Sequence, residues 1–321
     1  VLKPEARVIV DLASAAFPKL GTEVFDAAEA RRMLAARPSP VLEPIEVGAV
    51  VDRTVPGLPG GSEVRVRVYW PVGDDGGQRE SREGDLPVVV FLHGGGFTLC
   101  GLDSHDRLCR TLANGVGTVV VSVDYRQAPE DRFPAAAEDA YAVVRWVAAH
   151  AAEIGGDPAR IAVAGDSSGG NLAAVTALMA RDRGGPTLAS QALIYPMLDP
   201  SCDTDSYREY ADDHFTTAAH LRWYWEQYLG PGGATADPYA APVLAEDLSG
   251  LPPAYILTAE CDPLRDEGEA YGARLRAAGV DTEIVRCAGQ FHGFVSMADH
   301  LPDAKEAVAG LFSVLRRALG V

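Results

Sequence analysis

Hydrophobic and polar positions change rhythm twice along the 321 residues. Residues 4–16 and 22–36 carry apolar positions at helical spacing, and Arg37-Pro38-Ser39-Pro40 ends the second stretch. The period then drops to two. Val64, Val66 and Val68 alternate with Glu63, Arg65 and Arg67, which predicts an antiparallel strand with one wet face. A tract rich in Gly, Asp, Glu and Arg over 73–86 predicts an exposed loop. Beyond it, short apolar runs at 88–92, 118–123, 161–164, 188–195, 254–258 and 282–286 alternate with helical stretches near 104–114, 135–150, 169–181, 264–278 and 303–318. A strand with no polar face must be covered on both sides, so the pattern predicts an α/β fold: a mostly parallel central sheet with helices on both faces. The interval from 195 to 254 is too long for a plain crossover and holds a helical stretch at 217–229. Residues 196–233 are therefore read as a cap insertion. It joins N-terminal helices (1–42) over an α/β core built from 43–195 and 234–321.

Composition acts mainly by exclusion. Lys plus Arg number 28 against 45 Asp plus Glu, a formal charge of −17. That balance repels phosphate backbones and anionic lipid surfaces, so no nucleic-acid or membrane partner is expected. No run reaches the roughly 18 apolar residues of a membrane span. Lys3, Glu5, Arg7, Asp11 and Lys19 break up any signal-peptide core. The cysteines at 100, 109, 202, 261 and 287 are odd in number and form no C-x-x-C pair, so neither a disulfide framework nor a metal site is suggested. The expectation is a cytoplasmic protein with reduced thiols.

Gly165-Asp166-Ser167-Ser168-Gly169 matches G-x-S-x-G between an apolar strand and a helix. This is the context of a nucleophile elbow, a tight turn that lifts a serine hydroxyl above the sheet edge. The turn crowds the positions two before and two after the nucleophile. For Ser167 these are Gly165 and Gly169; for Ser168 they would include Asp166, which is not small. The spacing selects Ser167. His93-Gly94-Gly95-Gly96-Phe97 follows another strand, and its glycines free the backbone to aim N–H groups inward. An oxyanion hole from the amides of Gly95, Gly96 and Ser168 is expected. The base should come last in the chain. His292, in a loop after the 282–286 strand, fits at the C-terminal edge of the sheet, whereas His300 reads as a surface or capping residue. The acid should follow the preceding strand. Asp262 is the first aspartate there, Glu260 competes, and Asp266 falls one turn into the next helix. Phe97 and Trp225 are candidate pocket walls, with packing between cap and core as the alternative. Asp103 and His105 read as features of a helix N-terminus, and Tyr125 and Arg126 as supports for the loops.

Together, His93–Phe97, 165–171, 262–268 and 291–294 resemble the bacterial hormone-sensitive-lipase-like esterases, the family IV lipolytic enzymes. Tyr125-Arg126-Gln127-Ala128-Pro129-Glu130 and Phe133-Pro134-Ala135-Ala136 are similar to that family's further loop. The similarity runs from about Pro44 to the C-terminus. It implies the α/β-hydrolase fold, carboxylesterase activity on short acyl chains, no cofactor, a helical cap, and a homodimer formed through the strand at 282–286. Two positions depart from the family's habit: Ser168 where alanine is common, and Cys261 where tyrosine is common. Neither removes a reacting group. An amidase with the same triad, or a non-catalytic small-molecule receptor on the same scaffold, would share most of these residues. Receptors of that kind tend to lose the histidine that stands at 292.

Overall fold

The computed structural model describes residues 1–37, 43–58, 61–73 and 86–321. The proline break after Arg37 and most of the loop expected at 73–86 fall outside the described residues. Strand β3 (Leu86–Leu92) shows why the helices must lie where they do. Its Val88, Val90 and Leu92 enter one apolar cluster and its Val89 and Phe91 the other. Successive side chains point to opposite faces, so an unbroken apolar run needs cover on both. Helices α4 (Ala135–His150), α5 (Ser168–Asp182) and α8 (Arg265–Ala277) cover one side; α3 (Leu102–Val116) and α9 (Pro302–Leu319) cover the other. Each Val, Leu or Phe buried in this way contributes about 1.5–3 kcal/mol.

Among the described residues the sheet has eight strands, in the order β1 (Ala49–Val55), β2 (Val64–Trp70), β4 (Val119–Asp124), β3, β5 (Gly156–Asp166), β6 (Ser190–Ile194), β7 (Ala254–Cys261) and β8 (Thr282–Phe291). β1 with β2 and β2 with β4 pair antiparallel, and every later neighbouring pair is parallel. The period-two stretch lies in β2, with Val64, Val66 and Val68 buried and Arg65 exposed. β1 carries no such signal. It is an edge strand with a largely wet surface, so its sequence faces no periodic demand for burial. β8 runs past residue 286 to Phe291, and its end therefore delivers His292 directly, without an intervening loop.

The segment beside the sheet's C-terminal edge comprises α1 (Pro4–Ala16), α2 (Ala27–Ala35), α6 (Asp205–Glu209) and α7 (Ala218–Leu229). α2 begins later than the helical pattern at 22–36, because Asp26 caps it by accepting from the Glu29 amide at 2.7 Å. Thr217 caps α7 in the same way, accepting from the His220 amide at 3.1 Å. Burial lowers the His220 imidazole to about 4, so it stays neutral in this setting. The Trp223 indole on α7 donates to the Phe25 carbonyl at 2.8 Å. Arg31 on α2 donates to the Thr98 and Ala128 carbonyls at 2.9 and 2.7 Å. The N-terminal helices are thus tied both to α7 and to the loop that follows the triple glycine. Among the described residues, no helix is long and apolar enough to cross a membrane.

Candidate active site

The nucleophile elbow joins β5 to α5. Ser167 has φ +56° and ψ −120°, outside the comfortable regions for a residue with a side chain. Such a conformation costs about 1–3 kcal/mol and persists only where its surroundings over-determine it. They do. The Ser167 amide donates to the Ile194 carbonyl at 2.8 Å, and its carbonyl accepts from Met197 and Asn171, both at 3.1 Å. A Cβ at Gly165 would drive into the Gly169 and Leu92 carbonyls, and one at Gly169 into the Leu92 and His93 carbonyls. The two small positions inferred from spacing are required by contact with β3.

The three residues selected from the sequence converge. His292 Nε2 lies 2.9 Å from Ser167 Oγ, and its Nδ1 lies 2.8 Å from Asp262 Oδ2. The other oxygen of Asp262 accepts from the Leu264 amide at 2.9 Å. Asp262 is wholly buried, while Ser167 and His292 each keep 7% of their surface, so the carboxylate is dry while the hydroxyl and imidazole are reachable. A carboxylate only accepts, so Nδ1 carries the hydrogen and the Nε2 lone pair faces the serine hydroxyl. The Tyr195 ring packs 4.7 Å from the imidazole. The competitors point elsewhere. Glu260 accepts from the Gly289 amide at 2.6 Å, Asp266 from the Ser206 amide at 2.8 Å, and His300 is exposed before α9.

The glycine loop lies beside the elbow. Gly95 and Gly96 have φ of +114° and +61°. Among the described residues no protein group accepts from the amides of Gly95, Gly96 or Ser168. The Gly94 amide differs: it donates to Asp166 Oδ1 at 2.9 Å. Tyr125 supports the loop as expected, its hydroxyl donating to the His93 carbonyl at 2.7 Å. Its ring stacks on the His93 imidazole at 4.2 Å. Burial, with His105 nearby, lowers His93 to about 4, so this ring is neutral. Arg126 is held by Asp139 through its amide and its guanidinium.

Phe97 and Trp225 do not line open space. Phe97 is fully buried, stacked 3.8 Å from Tyr228 and 5.7 Å from Trp225, which is 1% exposed. They pack α7 onto the glycine loop, the alternative that the sequence left open. The ring that reaches Gly96 is Tyr224, 8% exposed, which occupies the space a Cβ at Gly96 would take. Sequence reasoning took His105 as a feature of a helix N-terminus and Asp166 as a residue of the elbow, and did not anticipate that they pair at 3.1 Å. It passed over Glu267, the third residue of α8, which is buried and accepts from the Leu198 amide at 2.5 Å. Among the described residues no cluster of His, Cys, Asp or Glu has the makings of a metal site, and all five cysteines are unpaired.

Residues 89–296 match a family model described as the alpha/beta hydrolase fold. The chain is 46% identical over 280 residues to the carboxylesterase NlhH of Mycobacterium tuberculosis, covering 84% of this chain and 83% of that one. The chain belongs to the alpha/beta hydrolase fold family. This hydrolase is also 37% identical over 262 residues to an ethyl acetate hydrolase of Pseudomonas putida, covering 81% of its own length and 80% of the relative's. An ester hydrolase, EH1AB1, from the metagenome of Lake Arreo superposes on the hydrolase with a TM-score of 0.89 at 38% identity, over the whole of both chains. The motifs that tie the hydrolase to hormone-sensitive-lipase-like esterases fall inside the matched span, at and beyond the C-terminal ends of β3, β4, β5, β7 and β8.

Proposed function

We infer that this hydrolase is a carboxylesterase that cleaves short-chain acyl esters through an acyl-enzyme intermediate, with Ser167 as nucleophile, His292 as base and Asp262 as orienting acid. One observation carries the reading: a single imidazole bridges a strained, reachable serine hydroxyl and a dry carboxylate at 2.9 and 2.8 Å. His292 takes the Ser167 proton as the oxygen attacks the ester carbonyl, then returns it to the leaving alcohol. The amides of Gly95, Gly96 and Ser168 receive the oxyanion; their lack of protein acceptors supports that role. Water activated by the same imidazole releases the acid. No cofactor is needed in these steps.

Residues 1–42 and 196–233 are assigned to the cap, and 43–195 with 234–321 to the catalytic core. The open edge of β8 is assigned to a homodimer contact, testable by light scattering, and the unpaired cysteines favour a reducing compartment such as the cytoplasm. The central test is labelling with an organophosphate, which should mark Ser167 alone and stop hydrolysis of p-nitrophenyl butyrate. Undiminished hydrolysis by Ser167→Ala would overturn the reading, and a p-nitrophenyl ester series should peak at short chains.

A further inference from the structure

The aspartate before the nucleophile has no part in the acyl transfer just described, yet it is built into the site. Asp166 is 8% exposed, and its Oδ1 accepts from the Gly94 amide at 2.9 Å and from His105 Nε2 at 3.1 Å. Because a carboxylate only accepts, His105 Nε2 carries a hydrogen. The 3.4 Å approach of the Gly94 amide to that nitrogen is then donor against donor and bonds nothing. His105 Nδ1 lies 2.9 Å from Ser104 Oγ, which is itself bound to Gly101 at the start of α3. The ring is held at both nitrogens by groups outside the glycine loop.

Three consecutive glycines have more backbone freedom than any other tripeptide, so donors carried on them need anchors. At one end, the Gly95 carbonyl accepts from Thr98 and Leu99. Beside it, Tyr125 holds the His93 carbonyl. Asp166 differs from these anchors in belonging to the elbow, so it ties the position of the donors to the position of Ser167. By occupying the Gly94 amide it also leaves the next two amides to face the substrate. The hydrogen bonds from the Gly94 amide and His105 Nε2 both fall on Oδ1 and fix the direction of the carboxylate. Burial opposes ionisation of Asp166, but His105 and the Gly94 amide outweigh it and hold the carboxyl below its ordinary range.

We propose that Asp166, clamped by His105, is a positioning residue that registers the glycine loop against the elbow, so that the amides of Gly95, Gly96 and Ser168 address one point. The proposal rests on the esterase reading. It is tested by steady-state hydrolysis of p-nitrophenyl butyrate. Two reversible ligands are measured alongside: a trifluoromethyl ketone that mimics the tetrahedral intermediate, and butyrate as a ground-state ligand. Asp166→Ala lowers kcat about 100-fold, the loss typical of one oxyanion donor, with KM within about threefold. It weakens the ketone by a similar factor and leaves butyrate binding within about threefold. Asp166→Asn keeps an oxygen that can accept from Gly94, and recovers kcat to within about tenfold of the parent.

Asp166→Ala with kcat within about threefold of the parent overturns the proposal, as does equal weakening of ketone and butyrate. So does an Asn variant, folded by circular dichroism, that is as impaired as Ala. If the Ala variant does not fold, His105→Phe decides: a lower kcat at constant KM supports the clamp, and an unchanged kcat overturns it. Failure of the esterase reading looks different, since the parent enzyme would then neither hydrolyse the ester nor take the organophosphate label.

Discussion

At the residue scale, the elbow concentrates strain at one position and relies on its neighbours having no side chains. Gly169 packs against the Leu92 and His93 carbonyls of β3 and the loop after it. Gly169→Ala therefore forces the elbow away from the sheet, costing roughly 1–3 kcal/mol of stability. Ester hydrolysis should be lost with it, because Ser167 Oγ leaves the reach of His292. A urea midpoint and activity equal to the parent's would show that the packing tolerates a methyl group. In the proposed mechanism Asp262 acts through orientation. Its replacement by Asn places an amide where the Nδ1 hydrogen needs an acceptor, which favours the tautomer that turns a hydrogen toward Ser167. Asp262→Asn should lower kcat by about 10⁴-fold with the fold intact. A loss below about tenfold would mean that the carboxylate is dispensable.

At the element scale, the caps and ties of α7 decide how firmly this helix meets the elements around it. Thr217 accepts from the His220 amide at the helix start, so Thr217→Ala should cost about 1 kcal/mol. The Trp223 indole closes the span between α7 and the segment before α2 by reaching the Phe25 carbonyl. Trp223→Phe removes that donor and leaves a part-buried carbonyl to water, a loss of about 0.5–1.5 kcal/mol. Chemical denaturation of the two variants measures both, and unchanged midpoints would show that α7 is held by packing alone. Among the strands, legibility followed burial. Residues 87–92 of β3, 161–164 of β5, 192–194 of β6 and 254–257 of β7 are apolar and buried because both faces are covered there, and they stood out in the sequence. β1 did not, since an edge strand with a wet surface imposes no pattern.

At the scale of the whole molecule, Glu267 joins α8 to the chain leaving β6 by accepting from the Leu198 and Asp199 amides. Its second oxygen is buried with no partner among the described residues. Burial pushes its carboxyl well above the ordinary value of 4.5. The unfolded chain releases this proton near the ordinary value while the folded chain keeps it, so the folded form binds more protons between the two pKa values. This contribution to stability is greatest below 4.5 and is lost as pH rises toward the folded value. Glu267→Gln keeps an acceptor for both amides and removes the proton. The variant should therefore gain stability relative to the parent as pH rises through the neutral range. A stability difference that stays constant with pH would show that Glu267 is charged in the folded protein.

The amino-acid sequence alone determined the features that depend on neighbours in the chain. The small residues flanking Ser167 are dictated by a five-residue turn, the doubly buried strands by their unbroken apolar runs, and the order Ser167, Asp262, His292 by strand ends that recur along the chain. Tertiary structure alone decided what depends on which elements lie side by side. The pairing of His105 with Asp166 needs the start of α3 to meet the end of β5, and nothing local to either residue announces it. Likewise Phe97 and Trp225 became packing residues and Tyr224 the ring at Gly96, because the seating of α7 on the core is set by the whole aromatic contact. A helical repeat shows which face is apolar, but not which of its rings ends beside the nucleophile.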